Sequence, residues 1–196
     1  MCYPYQKGIN MFIVVSGISG SGKNTVINRL LSERANLRCL EYSSATTRPP
    51  RESDSDNKTY VYMSVQEFEK GISEGRFFEY ENVHGNYYGT LLERLQFVVD
   101  NQNLDFMRDI DVKGNRNLKK FFAGKCPMVS IFLDAPDEVI RARLTNRGDA
   151  PADIEKRISR GELERSYKCD YDLVIENIDL EKTISSINKF LDNVKK

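Results

Sequence analysis

The stretch Phe12-Ile13-Val14-Val15-Ser16-Gly17-Ile18-Ser19-Gly20-Ser21-Gly22-Lys23-Asn24-Thr25 decides how the rest of the chain is read. An apolar run reaches Val15, and Gly17, Gly22 and Lys23 then fall at the G-x-x-x-x-G-K spacing of a phosphate-binding loop. Glycines accept positive φ, so the backbone N–H groups from Gly17 through Ile18, Ser19, Gly20 and Ser21 to Gly22 can turn inward around an anion. A helix starting at Lys23 adds the positive end of its dipole, and the Lys23 ammonium adds a full charge near the outer phosphates. The next residue is usually Ser or Thr, whose hydroxyl reaches Mg²⁺. Here it is Asn24, with Thr25 one place later. A chance glycine-rich turn would lack the apolar strand before the loop and the Val26-Ile27-x-x-Leu30-Leu31 stripe after it. The motif therefore predicts a nucleoside triphosphate site.

Outside this stretch, composition mostly excludes. The 196 residues suit one domain with a sizeable core and small inserts. Lys plus Arg and Asp plus Glu are both 29, so no overall charge draws the chain to nucleic acid or an acidic membrane. Anion binding must come from local clusters. Cys2, Cys39, Cys126 and Cys169 form no C-x-x-C pair, and His84 is the only histidine, which argues against a zinc site or a disulfide framework. A reducing cytoplasm is the expected setting. No apolar run approaches a membrane span. Residues 1–10 lack a signal-peptide core and read as an N-terminal extension before a single domain over 11–196. Nothing chooses between a monomer and a small homo-oligomer.

Along the chain, a helix is expected over about Lys23 to Glu33 and a second strand over Leu37 to Tyr42. Ser43 to Lys58 reads as a long polar loop without periodicity. Tyr60 to Tyr62 is strand-like, and Ser64-Val-Gln-Glu67 matches a capping box before a short helix. Arg76 to Val83 and Asn86 to Tyr88 read as short strands about a His84-Gly85 turn, and Thr90 to Val99 as a helix. Leu104 to Arg108 predicts a strand ending in Asp109-Ile110-Asp111, followed by a helix through Leu118, Phe121 and Phe122. Pro127 to Leu133 predicts a strand buried on both faces, Pro136 a helix start, Leu173 to Ile175 a last strand, and Leu180 to Val194 a last helix. Strands alternating with helices predict an α/β fold of the phosphate-loop type, with a parallel sheet covered on both faces. The Tyr60 to Tyr88 block and the charged Ala152 to Tyr167 segment are excursions from it.

Four further clusters carry chemistry. In Ser44-Ala-Thr46-Thr47-Arg48-Pro49-Pro50-Arg51, two arginines on a proline-stiffened loop can clamp a phosphate, or simply face solvent. In Phe77-Phe78-Glu79-Tyr80 and Gly85-Asn86-Tyr87-Tyr88-Gly89-Thr90, a carboxylate sits among aromatics. Locally, Glu79 is equally well a solvent-facing strand residue. Asp109 stands where a strand end beside a phosphate loop holds hydrated Mg²⁺. Arg143 and Arg147 lie at i, i+4, a repulsive spacing unless anions intervene, with Arg157 and Arg160 beyond them. Salt bridges to Glu155, Glu162 and Glu164 are the plainer reading of that group.

In this order the pieces resemble the guanylate kinase family, whose members phosphorylate GMP with ATP. The resemblance runs from about Met11 to Lys195. It rests on S-x-T-T-R-x-P-R at Ser44 to Arg51, G-N-Y-Y-G-T at Gly85 to Thr90, and D-I-D-x-x-G at Asp109 to Gly114. R-L-x-x-R-G at Arg143 to Gly148 and I-x-x-R at Ile154 to Arg157 fall in register with these. It implies a core over 11–43, 91–145 and 170–196, a small mixed α/β GMP-binding insert over about 44–90, and a helical lid over about 146–169. It implies that Arg48, Arg51, Tyr60 and Tyr88 hold the GMP phosphate. Glu79 and Asp111 would accept from the guanine N1–H and amino group, and Ser44 and Thr90 would supply hydroxyls near O6. Lys23 and the loop amides would hold ATP with Asn177 nearby. Thr25 and Asp109 would serve Mg²⁺, and Arg143, Arg147 and Arg157 would close over the transferring phosphoryl.

The chain departs from the family at Asn24, at Asp54 and Asn57 before Tyr60, at Arg108, and in a lid one residue shorter than usual. Two alternatives stay open on these residues. One is a guanylate-kinase-like module that binds proteins without catalysis, as in membrane scaffold proteins, although those lack an intact ATP loop. The other is a related kinase with another acceptor, a different nucleotide or a phosphorylated sugar. On the main reading the partners are ATP and GMP, with the choice between GMP and dGMP left open.

Overall fold

The computed structural model describes residues 10–50, 58, 60–83, 85–101 and 103–195. The chain divides into two compact units, Met1–Cys39 with Gln102–Lys196, and Leu40–Asn101.

The first unit is built on β1 (Phe12–Gly17), whose run of apolar residues is buried on both faces because it is the middle strand of five. The order is β2 (Leu37–Cys39), β7 (Asp105–Asp109), β1, β8 (Met128–Asp134) and β9 (Leu173–Glu176), all parallel. Alternation sorts the strand: Met11, Ile13 and Val15 pack with Val26, Ile27 and Leu30 of α1 (Lys23–Glu33) and with Ile184, Ile187 and Leu191 of α7 (Leu180–Val194). Phe12 faces the other way, its ring 4.8 Å from Phe122 of α4 (Val112–Phe122). Further along that face, Ile18 and Phe132 meet Ile140 and Leu144 of α5 (Asp137–Asn146) and Ile154 of α6 (Pro151–Arg165). Asn10, assigned above to the extension, is only 4% exposed, and its carbonyl accepts from the Cys126 thiol.

The second unit is a mixed four-stranded sheet in the order β4 (Tyr60–Tyr62), β3 (Ser44–Thr46), β6 (Asn86–Leu91) and β5 (Phe77–Val83), with α2 (Val65–Ser73) and α3 (Leu92–Asp100). β3 runs parallel to β4 and antiparallel to β6, which is antiparallel to β5. The capping box at Ser64 and Glu67 forms as expected. Phe68 of α2 stacks on Phe77 and Tyr87, at 4.2 and 5.0 Å between centroids, over Ala45 and Leu91.

Three expectations are corrected. The polar stretch after Ser43 contains β3: Ser44 to Thr46 finds partners on both sides, so pairing overrides its loop-like composition. Thr90 and Leu91 end β6 rather than open a helix. The second strand stops at Cys39, and Tyr42 takes a φ of 49°. Among the described residues, no helix is long and apolar enough to cross a membrane.

Candidate active site

In the first unit the phosphate loop is shaped by its neighbours. A Cβ on Gly17 would lie 2.0 Å from the Leu133 carbonyl oxygen of β8, so only glycine lets the loop leave the sheet there. Gly22, at φ 90°, opens α1. Behind it, the Asn177 side-chain amide donates to the Ser21 carbonyl at 2.7 Å. Arg143 donates to the same carbonyl at 3.3 Å and to the Asn177 carbonyl at 2.8 Å. Arg143 and Asn177, both expected at the donor nucleotide, are thus bonded to each other and to the loop backbone.

Lys23 Nζ donates to the Gly17 and Ile18 carbonyls at 2.6 and 2.9 Å, which sets its charge over the loop. Burial pulls its proton affinity below the usual lysine range. The Glu164 and Asp109 carboxylates oppose that shift, and Arg160 adds to it. Asn24 and Thr25 are exposed in the first turn of α1. Asp109 ends β7 beside Val15 with its side chain 47% exposed, and the buried Arg108 approaches it at 3.6 Å. Asp111 caps α4: one carboxylate oxygen accepts from the Lys113 and Gly114 N–H groups at 2.8 and 3.0 Å.

The arginines beyond α5 do not simply repel. Arg157 donates to Ser19 Oγ at 2.8 Å, which brings α6 onto the loop. Arg147 donates to Asp149 through Nε at 2.9 Å, and Arg157 Nε lies 3.4 Å from the same carboxylate. Asp149 thus gathers two of the three expected arginines. Its carboxyl is held below the usual range by the hydrogen bond from Arg147. Asp149 is not among the residues that the sequence singles out; the glycine at 148, which the structure places at φ 89° between Arg147 and Asp149, is the local signal for the turn that pairs them. Part of the plainer salt-bridge reading also holds, since Glu155 pairs with Arg141 and Glu164 with Arg160.

In the second unit, strand register assembles a row. Tyr60 is opposite Ser44, Ser44 opposite Thr90, and Thr90 opposite Glu79, so four expected GMP residues from four strands lie side by side. Tyr88, two residues before Thr90, shares their face. Tyr60 and Tyr88 meet edge-on at 6.2 Å, and the Arg48 guanidinium lies 5.5 Å from the Tyr60 ring centre and 5.9 Å from that of Tyr62. Glu79 reaches this face through an irregularity between Phe77 and Glu79, where β5 carries one residue more than β6. Regular alternation would put Phe77 and Glu79 on one side. The bulge instead lets Phe77 join the core over Phe68 while Glu79 joins the polar row. Arg51, Asp54, Asn57 and His84 lie outside the described residues.

Comparison with known proteins points to one family. The family model described as guanylate kinase matches residues 10–194. The chain is 41% identical to a guanylate kinase of Bacteroides thetaiotaomicron over 189 residues, 92% of this chain and 89% of that one. It is 40% identical to one of Bacteroides fragilis over 184 residues, 91% of this chain and 86% of the relative. The crystal structure of guanylate kinase from Anaplasma phagocytophilum superposes with a TM-score of 0.70 at 26% identity, covering 98% of this chain and 89% of the other.

Proposed function

The chain belongs to the guanylate kinase family and is a nucleoside monophosphate kinase, and we propose that it moves the γ-phosphoryl group of ATP to GMP by in-line transfer with Mg²⁺. The observation that carries this reading is the Tyr60–Ser44–Thr90–Glu79 row in a chain that also bears a complete phosphate loop.

Glu79 accepts from the guanine N1–H. Asp111 accepts from the amino group through the oxygen that its helix cap does not use. AMP offers neither donor and would leave both carboxylates unpaired, which is how such a site rejects an analogue. Ser44 and Thr90 present hydroxyls to O6, while Arg48, Arg51, Tyr60 and Tyr88 take the GMP phosphate. On the donor side, Lys23 and the loop N–H groups bind the β- and γ-phosphates, and Arg147 and Arg157 offset the charge that spreads over the moving phosphoryl. Arg143 and Asn177 keep the loop in its wrapped form, the bonding they already show. Orientation and charge neutralisation supply most of the rate, and the scheme uses no histidine base.

The donor set fits a Mg²⁺ ion that arrives with the nucleotide. The exposed Asp109 carboxylate and Thr25 hydroxyl are hard oxygen ligands that would hold it, mainly through water, and Asn24 adds only an amide. Bound there, the ion neutralises charge on the phosphates.

The test is coupled ADP release with ATP, Mg²⁺ and, in turn, GMP, dGMP, AMP, UMP and CMP. GMP should exceed AMP in kcat/KM by at least about 10²-fold. Comparable turnover of AMP would overturn the guanine assignment. GMP binding without turnover of any acceptor would instead support the protein-binding module.

A further inference from the structure

Glu164 has no part in this scheme, yet α6 carries it to the phosphate loop. Along one face of that helix, Arg157 bonds Ser19, and a Cβ on Gly161 would sit 3.5 Å from Ile18 Cγ2. Glu164 follows Gly161 by three residues and so continues the same face. With Ser19, Asp153, Lys156, Arg157 and Arg160 it lines a cavity of about 330 Å³ against the loop.

One oxygen of Glu164 pairs with Arg160 Nε at 3.0 Å, and the side chain is only 14% exposed. The other oxygen is buried and meets no hydrogen-bond donor among the described residues. A carboxylate oxygen so placed is costly unless charges nearby compensate it. Around it the cavity lining carries three cations, Lys156, Arg157 and Arg160, against one other carboxylate, Asp153. Glu164 is the anion that most favours the charged form of Lys23, ahead of Asp109, while Arg160 disfavours it. Lys23 Nζ sits on the Gly17 and Ile18 carbonyls, Ile18 is the residue that the Gly161 face of α6 meets, and Arg160 shares the cavity of Glu164 and Ser19, so the loop, whose N–H groups add further positive potential, has two cations at this helix face.

We propose that Glu164 is the internal counter-ion of the phosphate loop, a positioning residue that neutralises Lys23 and holds Arg160 until the phosphates of ATP take over both. This rests on the kinase reading, since ATP supplies the replacing charge. It follows that ATP binds against a built-in anion, and that its arrival frees Arg160 to face the phosphates.

Calorimetric titration of the full chain with ATP, ADP and adenosine, in wild type, Glu164→Gln and Glu164→Ala, tests it. Glutamine keeps the shape and an acceptor for Arg160 but removes the charge. Glu164→Gln should bind ATP about three- to tenfold more tightly, ADP by a smaller factor and adenosine unchanged, with the gain shrinking in high salt. Glu164→Ala, checked as folded by circular dichroism, should also tighten ATP. Unchanged or weaker ATP binding in both variants would overturn the proposal, and so would equal shifts for all three ligands, which would mark a packing role. A wild-type chain that binds no ATP would instead overturn the kinase reading on which the proposal stands.

Discussion

In the unit that carries β1, the groups that would meet a triphosphate are neighbours in sequence, Gly17 to Thr25. In the Leu40–Asn101 unit, the groups sharing one face come from four strands and span Ser44 to Thr90. The loop is made by backbone: its glycines, its N–H groups and the start of α1. The row is made by side chains, and it exists only because pairing sets Ser44 against both Tyr60 and Thr90. A backbone site tolerates side-chain exchange but not a change in the path of the chain. A register site should behave in the opposite way.

The largest effect that would sharpen this contrast is expected at Gly17. Gly17→Ala places a methyl against the Leu133 carbonyl and should cost more than about 3 kcal/mol in urea unfolding, or prevent folding. A variant of near wild-type stability would show that the loop is less tightly bound to β8 than its geometry indicates.

Glu79→Ala comes next. It should lower kcat/KM for GMP by about 10²-fold and leave ATP affinity nearly unchanged, with little loss of stability. Equal losses for the two nucleotides would break the separation between row and loop.

Asp111 belongs to both descriptions, since one oxygen caps α4 and the other is assigned to guanine. Asparagine also caps well, so Asp111→Asn should change stability by less than about 0.5 kcal/mol, while Asp111→Ala should cost about 1 kcal/mol. Both should lower GMP kcat/KM, by about tenfold. If Asp111→Asn kept full activity, the residue would be a cap alone.

The smallest effect concerns Asp134, at the end of β8. Burial raises its proton affinity, but Lys168, the Ala135 N–H and Arg165 outweigh that and hold it below the usual aspartate range. Its folded pKa lies under the unfolded one, so its stabilisation is present above about pH 4 and is lost as pH falls through the folded value. Wild type should therefore lose thermal stability more steeply than Asp134→Asn across that acid range. Parallel curves would show that Lys168 and Arg165 do not stabilise the Asp134 carboxylate in the folded chain.

Most of the parallel sheet was legible because periodicity and burial agree there. Val26, Leu30, Ile184, Ile187 and Leu191 repeat at helical spacing, and the apolar runs of β1 and β8 are those of strands covered on both faces. β3 was not legible: three residues of Ser, Ala and Thr carry no period, and only their partners make them a strand. Asp149 was not legible for a related reason, and of Glu164 only the salt bridge was. Each is one acidic residue in a charged stretch, and its meaning depends on which cation lies across from it.

The sequence by itself determined the phosphate loop, the α/β class and the family, because these rest on contiguous spacing and on motifs in order. Only the tertiary structure decided that Glu79 shares a face with Ser44, Thr90 and Tyr60, since a single-residue bulge inverts the facing that alternation alone would assign. It also bonded Arg143 and Asn177 to the loop backbone, and set Glu164 in one cavity with Ser19 of the loop, far earlier in the chain. The reason is physical in each case. Local sequence sets backbone preference within a few residues, whereas hydrogen-bond partners and counter-ions are chosen by whichever segments packing brings together.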